Sequence, residues 1–303
     1  MRYELIKQKI EDKAHGIFIE ENVPMAQHTS FRAGGNAAMM VTPADAEELK
    51  AVLTVLEEEG CPHMVLGNGS NILVKDSGYD GVIVKIGEGF DYVRQEGKTL
   101  ICGSGTLMSV VAKASVAGNL TGFEFASGIP GTVGGAVFMN AGAYDGEIAG
   151  ILKRAKIVSK DGRREFYMTA GELQMGYRHT VLHKTQDVVT EVELELEKGS
   201  ADEIKRKIAD FTERRNSKQP VNFPSAGSFF KRPTGYFAGK LIQDAGLKGL
   251  TVGGAQVSEL HSGFIINRGG ATATDILQLM EIVQARVFDE FGVKLETEVR
   301  IIG

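Results

Sequence analysis

Apolar positions along the chain come in two patterns, one with helical spacing and one with strand-like alternation or short continuous runs. Leu5, Ile6, Lys9 and Ile10 sit at helical spacing and predict a helix over residues 1 to about 20. Ala38–Val41 reads as a short apolar strand. Thr42-Pro-Ala-Asp45 then caps a helix from Ala46 to Glu59, with Pro43 at or near its first turn and Gly60 closing it. Strands follow at Met64–Leu66 and Val82–Ile86, and Gly87–Gly89 breaks the pattern. Phe90–Arg94 and Thr99–Cys102 predict a hairpin turning on Glu96-Gly97. A helix runs from Leu107 to about Ala117, where Gly118-Asn119 ends it. A second hairpin joins Ala155–Ser159 to Glu165–Met168 through Lys160-Asp-Gly162. Val188–Glu197 alternates as a strand with one wet face.

Beyond Ser200 the pattern turns helical again. Ile204, Ile208, Phe211 and Arg215 define a helix that stops before Pro220. Ala226–Pro233 is a turn into a short strand, Ala238–Ala245 a helix closed at Gly246, and Phe264–Ile266 a strand. Thr274–Phe291 is a long helix with Ile276, Met280, Val283, Val287 and Phe291 on one face and Gly292 as its stop. A final strand spans Val293–Ile301, and its alternation puts Lys294, Glu296, Glu298 and Arg300 on one face.

The chain has 303 residues, which suits two or three domains, and the mixture of elements predicts a protein of both α and β structure. Its formal net charge of -5 and the lack of a long basic run argue against nucleic acid as a partner. No apolar stretch approaches the roughly 20 residues of a membrane helix, and the charged N-terminus is no secretory signal. Cys61 and Cys102 lie in apolar surroundings and read as buried thiols. The expectation is a soluble, cytoplasmic protein without membrane insertion.

Candidate chemistry concentrates in glycine-rich turns. Ala126–Ala143 is spaced so that backbone amides, not side chains, face outward. Such a turn is either a nest for a pyrophosphate, reinforced by a helix starting just after it, or a tight turn with no ligand. Gly67-Asn-Gly-Ser-Asn71 follows a strand directly and offers the same two readings. Neither stretch is a Rossmann fingerprint or a Walker loop. Two such turns facing one pyrophosphate would suit a dinucleotide, and the missing nicotinamide fingerprint shifts weight to a flavin dinucleotide. Gly103-Ser-Gly-Thr106 reads as the start of a helix. His179 and His183 stand four apart with no third ligand nearby, so no metal site is expected. Ser228 lacks the nucleophile-elbow pattern and is either a turn residue or a proton donor. Glu298 reads as part of a solvated ladder of opposite charges. Arg214, Arg215, Lys218, Lys231 and Arg232 gather positive charge in an acidic protein, as a phosphate-bearing substrate or a charged helix face would require.

Five motifs occur in order: Gly67–Asn71, Gly128–Ala136 with Asn140-Ala-Gly142, Tyr177-Arg178, Gly227–Lys231 and Leu295–Arg300. Together they closely resemble the UDP-N-acetylenolpyruvoylglucosamine reductase (MurB) family, flavoenzymes of peptidoglycan precursor synthesis. The resemblance runs from His28 to the C-terminus. It implies an α+β fold, with two FAD-binding subdomains of the vanillyl-alcohol-oxidase (PCMH) type and a C-terminal α+β substrate domain. The boundaries expected are 1–87, 88–199 and 200–303. The implied reaction uses NADPH to reduce a noncovalent FAD, which then reduces UDP-N-acetylglucosamine enolpyruvate to UDP-N-acetylmuramate. By this resemblance the cofactor contacts are Gly67, Asn68, Gly69, Ser70, Asn71, Gly128, Ile129, Pro130, Gly131, Thr132, Gly134, Gly135, Asn140 and Gly142. Arg178 would steady charge on the pyruvyl carboxylate, Ser228 would donate the proton, and Glu298, protonated by burial, would help hold the carboxylate. Tyr177, Arg215, Lys218 and Arg232 would touch substrate or flavin phosphates. The stretch between Arg178 and Ser228 lacks the tyrosine-bearing lid insertion of one class, so the sequence resembles the shorter, second class. Two other readings are a different FAD oxidoreductase of the same fold and a non-catalytic flavin-binding protein.

Overall fold

The structure is a computed structural model that describes residues 2–303. The chain packs as two units. One contains the residues up to Glu21, Met39–Asn68 and Gly81–Arg214, and the other contains Asn22–Ala38, Gly69–Asp80 and Arg215–Gly303. Helices and strands are mixed along the chain in the α+β manner expected. No helix among the described residues is long and apolar enough to cross a membrane.

In α1 (Arg2–Lys13), Ile6 and Ile10 lie about one turn apart and are both buried. The expected extension of this helix to about residue 20 is wrong. Gly16 takes φ +81°, a conformation glycine adopts without steric cost, and Phe18–Pro24 is strand β1. Met1 lies outside the described residues. β2 (Asn36–Thr42) leads to α2 (Ala46–Glu58), whose N-cap is Asp45; its carboxylate accepts from the amides of Glu47 and Glu48. β3 (His63–Leu66), β4 (Ile72–Val74) and β5 (Tyr79–Lys85) follow, and the sheet order is β1-β2-β5-β3 with β3 and β5 parallel. Leu49, Val52, Leu53 and Leu56 of α2 are buried in the i, i+3, i+4, i+7 series. They form one core of the first unit with Ile6, Ile10, Met39, Val41, Val82 and Val84.

The second core of that unit lies on an antiparallel sheet. β6 (Val93–Glu96) and β7 (Thr99–Gly103) make the first expected hairpin, with Glu96 opposite Thr99. Next come α3 (Met108–Ala117), β8 (Leu120–Thr121), α4 (Val133–Met139) and the small hairpin of β9 (Gly142–Ala143) and β10 (Gly146–Glu147). β11 (Leu152–Val158) and β12 (Glu165–Met168) make the second expected hairpin, and α5 (Leu182–Thr185) precedes β13 (Val188–Glu195). The order is β12-β11-β13-β7-β6, and Leu100, Cys102, Val111, Val137, Ile157 and Val192 fill the core. Cys61 and Cys102 are both buried free thiols, and burial raises the Cys102 thiol to about 12.

The expected wet face survives at the end of β13, where Glu195 is exposed, but not along its middle. β13 is the central strand, and Val189 and Glu193 on the supposedly solvated face are 7% and 5% exposed. Glu193 is acceptable there because Arg154 reaches its carboxylate at 2.6 Å and Lys153 at 3.6 Å. β14 (Glu197–Lys198) pairs with β8, and α6 (Ala201–Lys218) stops before Pro220 as expected.

The second unit is built on α7 (Ala238–Asp244), the sheet of β15 (Thr251–Val252), β16 (Ala255–Val257) and β17 (Ile265–Asn267), and the long α8 (Ala273–Phe291). Thr272 and Asp275 form a capping box on α8, and Asp76 adds a second cap by accepting from the amides of Ala273 and Thr274. Ile276, Leu279, Met280, Val283 and Val287 of α8 are buried against Phe229, Phe230, Leu73 and Val257.

The expected strand Val293–Ile301 is a second correction. Only β18 (Arg300–Ile302) is regular; it pairs in parallel with β4. Among residues 293–299 the only strand-like pairing is one isolated bridge, Phe230 to Thr297, beside backbone hydrogen bonds from Glu298 to Phe229 and from Lys231 to Glu296. The four charged residues do not share a wet face: Lys294 and Glu296 are exposed, whereas Glu298 and Arg300 are half-buried. The short strand expected within Ala226–Pro233 is likewise reduced to bridges from Ser228 to Phe264 and from Phe230 to Thr297.

Candidate functional site

The first two residues of the Gly67 turn belong to the first unit. β3 delivers Leu66 buried and Gly67 half-buried, followed by exposed Asn68. A Cβ on Gly67 would stand 2.6 Å from Thr132 Oγ1, so the turn abuts the start of α4. Thr132 caps that helix, accepting from the Gly135 amide at 3.4 Å. A Cβ on Gly134 would stand 2.6 Å from the Ser104 Cβ, and the Gly134 amide donates to the Ser104 carbonyl at 3.0 Å. The Val133 amide donates to Thr106, and the Met108 amide donates to Gly131. Three glycine turns therefore meet: Gly67, Gly103–Thr106 and Gly128–Gly135. The sequence reading gave the middle one no part beyond starting a helix. Along the third, Gly128 and Ile129 are half-buried and Pro130 is exposed.

Asn140 ends α4 at φ +42° and is fully buried. Its Nδ2 donates to the Gly176 carbonyl at 3.0 Å, and its Oδ1 accepts from the Ala149 amide at 2.9 Å. Both ends of the amide thus hold backbone, and one of them holds the turn that carries Tyr177 and Arg178. That turn is closed by reciprocal Gly176 and His179 hydrogen bonds. Arg178 sits at φ +53°, a backbone region costly to any side chain, and its Nη2 donates to the Gly142 carbonyl at 3.0 Å. Asn140, Gly142, Tyr177 and Arg178 are thereby one local cluster. The His179 and His183 rings stack 5.3 Å apart instead of converging on a common point.

The remaining candidates lie in the second unit. Gly69 takes φ +62°, and its carbonyl accepts from the Ser30 amide at 3.1 Å. A Cβ there would fall 2.0 Å from the His28 carbonyl oxygen, so only glycine fits. Asn71 Nδ2 donates to the Glu298 carbonyl at 3.1 Å, and the Arg300 amide donates to the Asn71 carbonyl at 3.0 Å. Ser228 follows Gly227, at φ +78°, and precedes Phe229 and Phe230, which are buried in the core. The Phe229 amide donates to Gly263, the Glu298 amide donates to Phe229 at 2.9 Å, and the Lys231 amide donates to Glu296. Asn71, Ser228 and Glu298, distant in sequence, are brought onto adjoining backbone. Two buried aromatic side chains anchor the segment that displays Ser228. Arg215 and Lys218 occupy the last turn of α6, and the Arg232 guanidinium lies 3.9 Å over the Phe237 ring.

Sequence reasoning missed two residues of the first unit. Ser104 is 2% exposed, and its hydroxyl has no hydrogen-bond partner. Lys85 donates to the Gly67 carbonyl. A lone lysine inside Val82-Ile-Val-Lys-Ile86 was the available signal for the second; a serine between glycines carries none. Close packing of the glycine turns at Gly67 and Gly134, with the Lys85 ammonium on the Gly67 carbonyl, fits a bulky anionic group with acceptor oxygens bound beside them. The pyrophosphate of a flavin dinucleotide is such a group.

A family model described as "FAD binding domain" matches residues 37–165, and one described as "UDP-N-acetylenolpyruvoylglucosamine reductase, C-terminal domain" matches residues 219–302. The chain is 52% identical over 280 residues to a protein of Alkaliphilus oremlandii named UDP-N-acetylenolpyruvoylglucosamine reductase, covering 92% of each. It is 48% identical over 285 residues to a Clostridioides difficile protein of the same name, covering 94% of this chain and 93% of that one. Among solved structures, UDP-N-acetylenolpyruvylglucosamine reductase from Thermus caldophilus superposes with a TM-score of 0.82 at 36% identity, over 95% of this chain and 100% of that one.

Proposed function

We propose that this chain, which belongs to the UDP-N-acetylenolpyruvoylglucosamine reductase family, reduces the enolpyruvyl ether of UDP-N-acetylglucosamine to UDP-N-acetylmuramate, with NADPH as reductant, in the cytoplasm. It is an FAD-containing oxidoreductase. FAD, when bound, supplies hydride to the terminal vinyl carbon of the substrate. We assign residues 1–87 and 88–199 to holding the cofactor and 200–303 to holding the substrate.

Gly67, Asn68, Gly69, Ser70, Asn71, Gly128, Ile129, Pro130, Gly131, Thr132, Gly134, Gly135 and Gly142 would line the cofactor. Asn140 acts from behind, by fixing the turn at Gly176. Arg178 would pair with the substrate carboxylate, where negative charge builds as hydride arrives; a guanidinium stays charged at any working pH and binds carboxylate bidentately. The Ser228 hydroxyl would give its proton to the carbon next to the reduced one. A hydroxyl is a weak acid, but the enolate it meets is a strong base, and placement supplies much of the rate. Glu298 would hold the carboxylate in its developing acid form. Tyr177, Arg215, Lys218 and Arg232 would contact phosphates.

The observation that carries this reading is the convergence of Asn71, Ser228 and Glu298 on adjoining backbone. The Ser228 side chain makes no hydrogen bond among the described residues, which leaves its proton available. The decisive experiment separates the half-reactions of Ser228→Ala by stopped-flow absorbance. Flavin reduction by NADPH should keep its rate, while reoxidation by the enolpyruvyl substrate should slow by about 100-fold or more. Equal slowing of both would make Ser228 structural, and a wild-type protein without substrate-dependent NADPH oxidation would overturn the reading.

A further inference from the structure

Lys85 is the last residue of β5, between buried Val84 and Ile86. In the parallel register with β3 it stands opposite Leu66, the residue that leads into the Gly67 turn. Its ammonium donates to the Gly67 carbonyl. Among the described residues it meets no carboxylate, and burial alone lowers its pKa. Other lysines of this unit are placed differently: Lys156 lies 3.0 Å from Glu165, and Lys98 lies 2.8 Å from Glu197.

An ammonium carries three donors, and withdrawing it from water without a counter-charge costs several kcal/mol. That arrangement is tolerable where an anion arrives from outside the chain. Its direction follows from peptide geometry. The carbonyl and the following N–H of a trans peptide point opposite ways. A lysine pinning the Gly67 carbonyl therefore turns the Asn68 N–H to the other side of the chain, away from Lys85. Asn68 is exposed, and Gly67 packs against Thr132 at the start of α4.

We propose that Lys85 is a positioning residue for the cofactor's pyrophosphate: it aims the Asn68 amide at the phosphate oxygens and supplies, one peptide away, the positive charge that balances them. This rests on the reading of the chain as an FAD enzyme. Its effect is on cofactor affinity and precedes any step of catalysis.

The test is titration of FAD into flavin-stripped protein, followed by flavin fluorescence, for the wild type, Lys85→Met and Lys85→Arg. Lys85→Met should weaken FAD binding about 10- to 100-fold, and Lys85→Arg should restore it to within a few-fold. Wild-type affinity should also fall as pH rises towards about 10.5, because binding favours the ammonium, while Lys85→Arg, whose charge does not titrate, should hold a flat profile. Lys85→Met binding within twofold of wild type overturns the inference. If Lys85→Met does not fold, a wild-type profile as flat as that of Lys85→Arg overturns it. A wild-type protein that binds no FAD at all would instead overturn the functional reading on which the inference rests.

Discussion

Glu124 and Lys85 are two charged side chains drawn into the interior of the first unit, and the pKa of each moves down. The meanings are opposite. Burial alone would raise the Glu124 carboxyl, but the Thr121 hydroxyl at 2.6 Å, the Gly122 amide at 2.7 Å and Lys207 at 3.8 Å outweigh it and favour the anion. For Lys85, burial lowers the pKa and so disfavours the cation. One charge is satisfied by its own chain, and the other is left for something that binds. Interior charge in this protein therefore separates into groups that hold the fold and a group that waits for a partner.

The sharpest way to break the comparison is Glu124→Ala. It leaves the Thr121 hydroxyl and the Gly122 amide without their acceptor and should lower unfolding free energy by about 2–3 kcal/mol in urea titrations. A loss below about 0.5 kcal/mol would mean that the carboxylate is not holding that turn. The second prediction is the pH dependence: both groups make stability rise with pH, Glu124 at the acid end and Lys85 at the alkaline end. The folded pKa of Glu124 lies below its unfolded value, so its contribution is full above the ordinary carboxylate range and is lost as pH falls through the folded pKa. The folded pKa of Lys85 is also depressed, so the unfolded chain binds the extra proton between the two values. In flavin-free protein its penalty is therefore relieved as pH rises towards about 10.5. Each slope should vanish in Glu124→Gln and Lys85→Met respectively, as thermal melts across pH would show. The smallest effect is on flavin-free Lys85→Met at neutral pH, whose stability should match or exceed that of wild type within about 1 kcal/mol. A large loss there would place Lys85 with Glu124 among the groups that hold the fold.

Local signals were the legible ones. Asp45 before Ala46, the apolar series through Leu49 and Leu56, and Thr272 with Asp275 ahead of Ile276 mark helices because their spacing and caps are set within a turn or two. The glycines at Gly67, Gly69 and Gly134 could be picked out as backbone positions, but which atoms crowd each one is a tertiary fact. Non-local structure was illegible. Nothing in Ile72–Val74 announces a partner at Arg300–Ile302, and alternation in Val188–Glu195 cannot report that Arg154 will cover Glu193. Glu298 looked like one rung of an exposed ladder because its bonds to Phe229 and Asn71 come from remote segments. The family resemblance supplied the names of Arg178, Ser228 and Glu298; the alternation alone favoured solvent for the last.

The pairing of β4 with β18 also has a consequence for how the protein is born. On a ribosome adding about 5–20 residues each second, Ile72, Leu73 and Val74 emerge on the order of ten seconds or more before the strand that pairs with them. During that interval three apolar residues offer unpaired backbone to any neighbouring chain, the condition under which nascent strands aggregate. The second unit, whose core draws on Phe31, Leu73 and α8 together, can close only after that delay, so its assembly is a late and vulnerable step of synthesis.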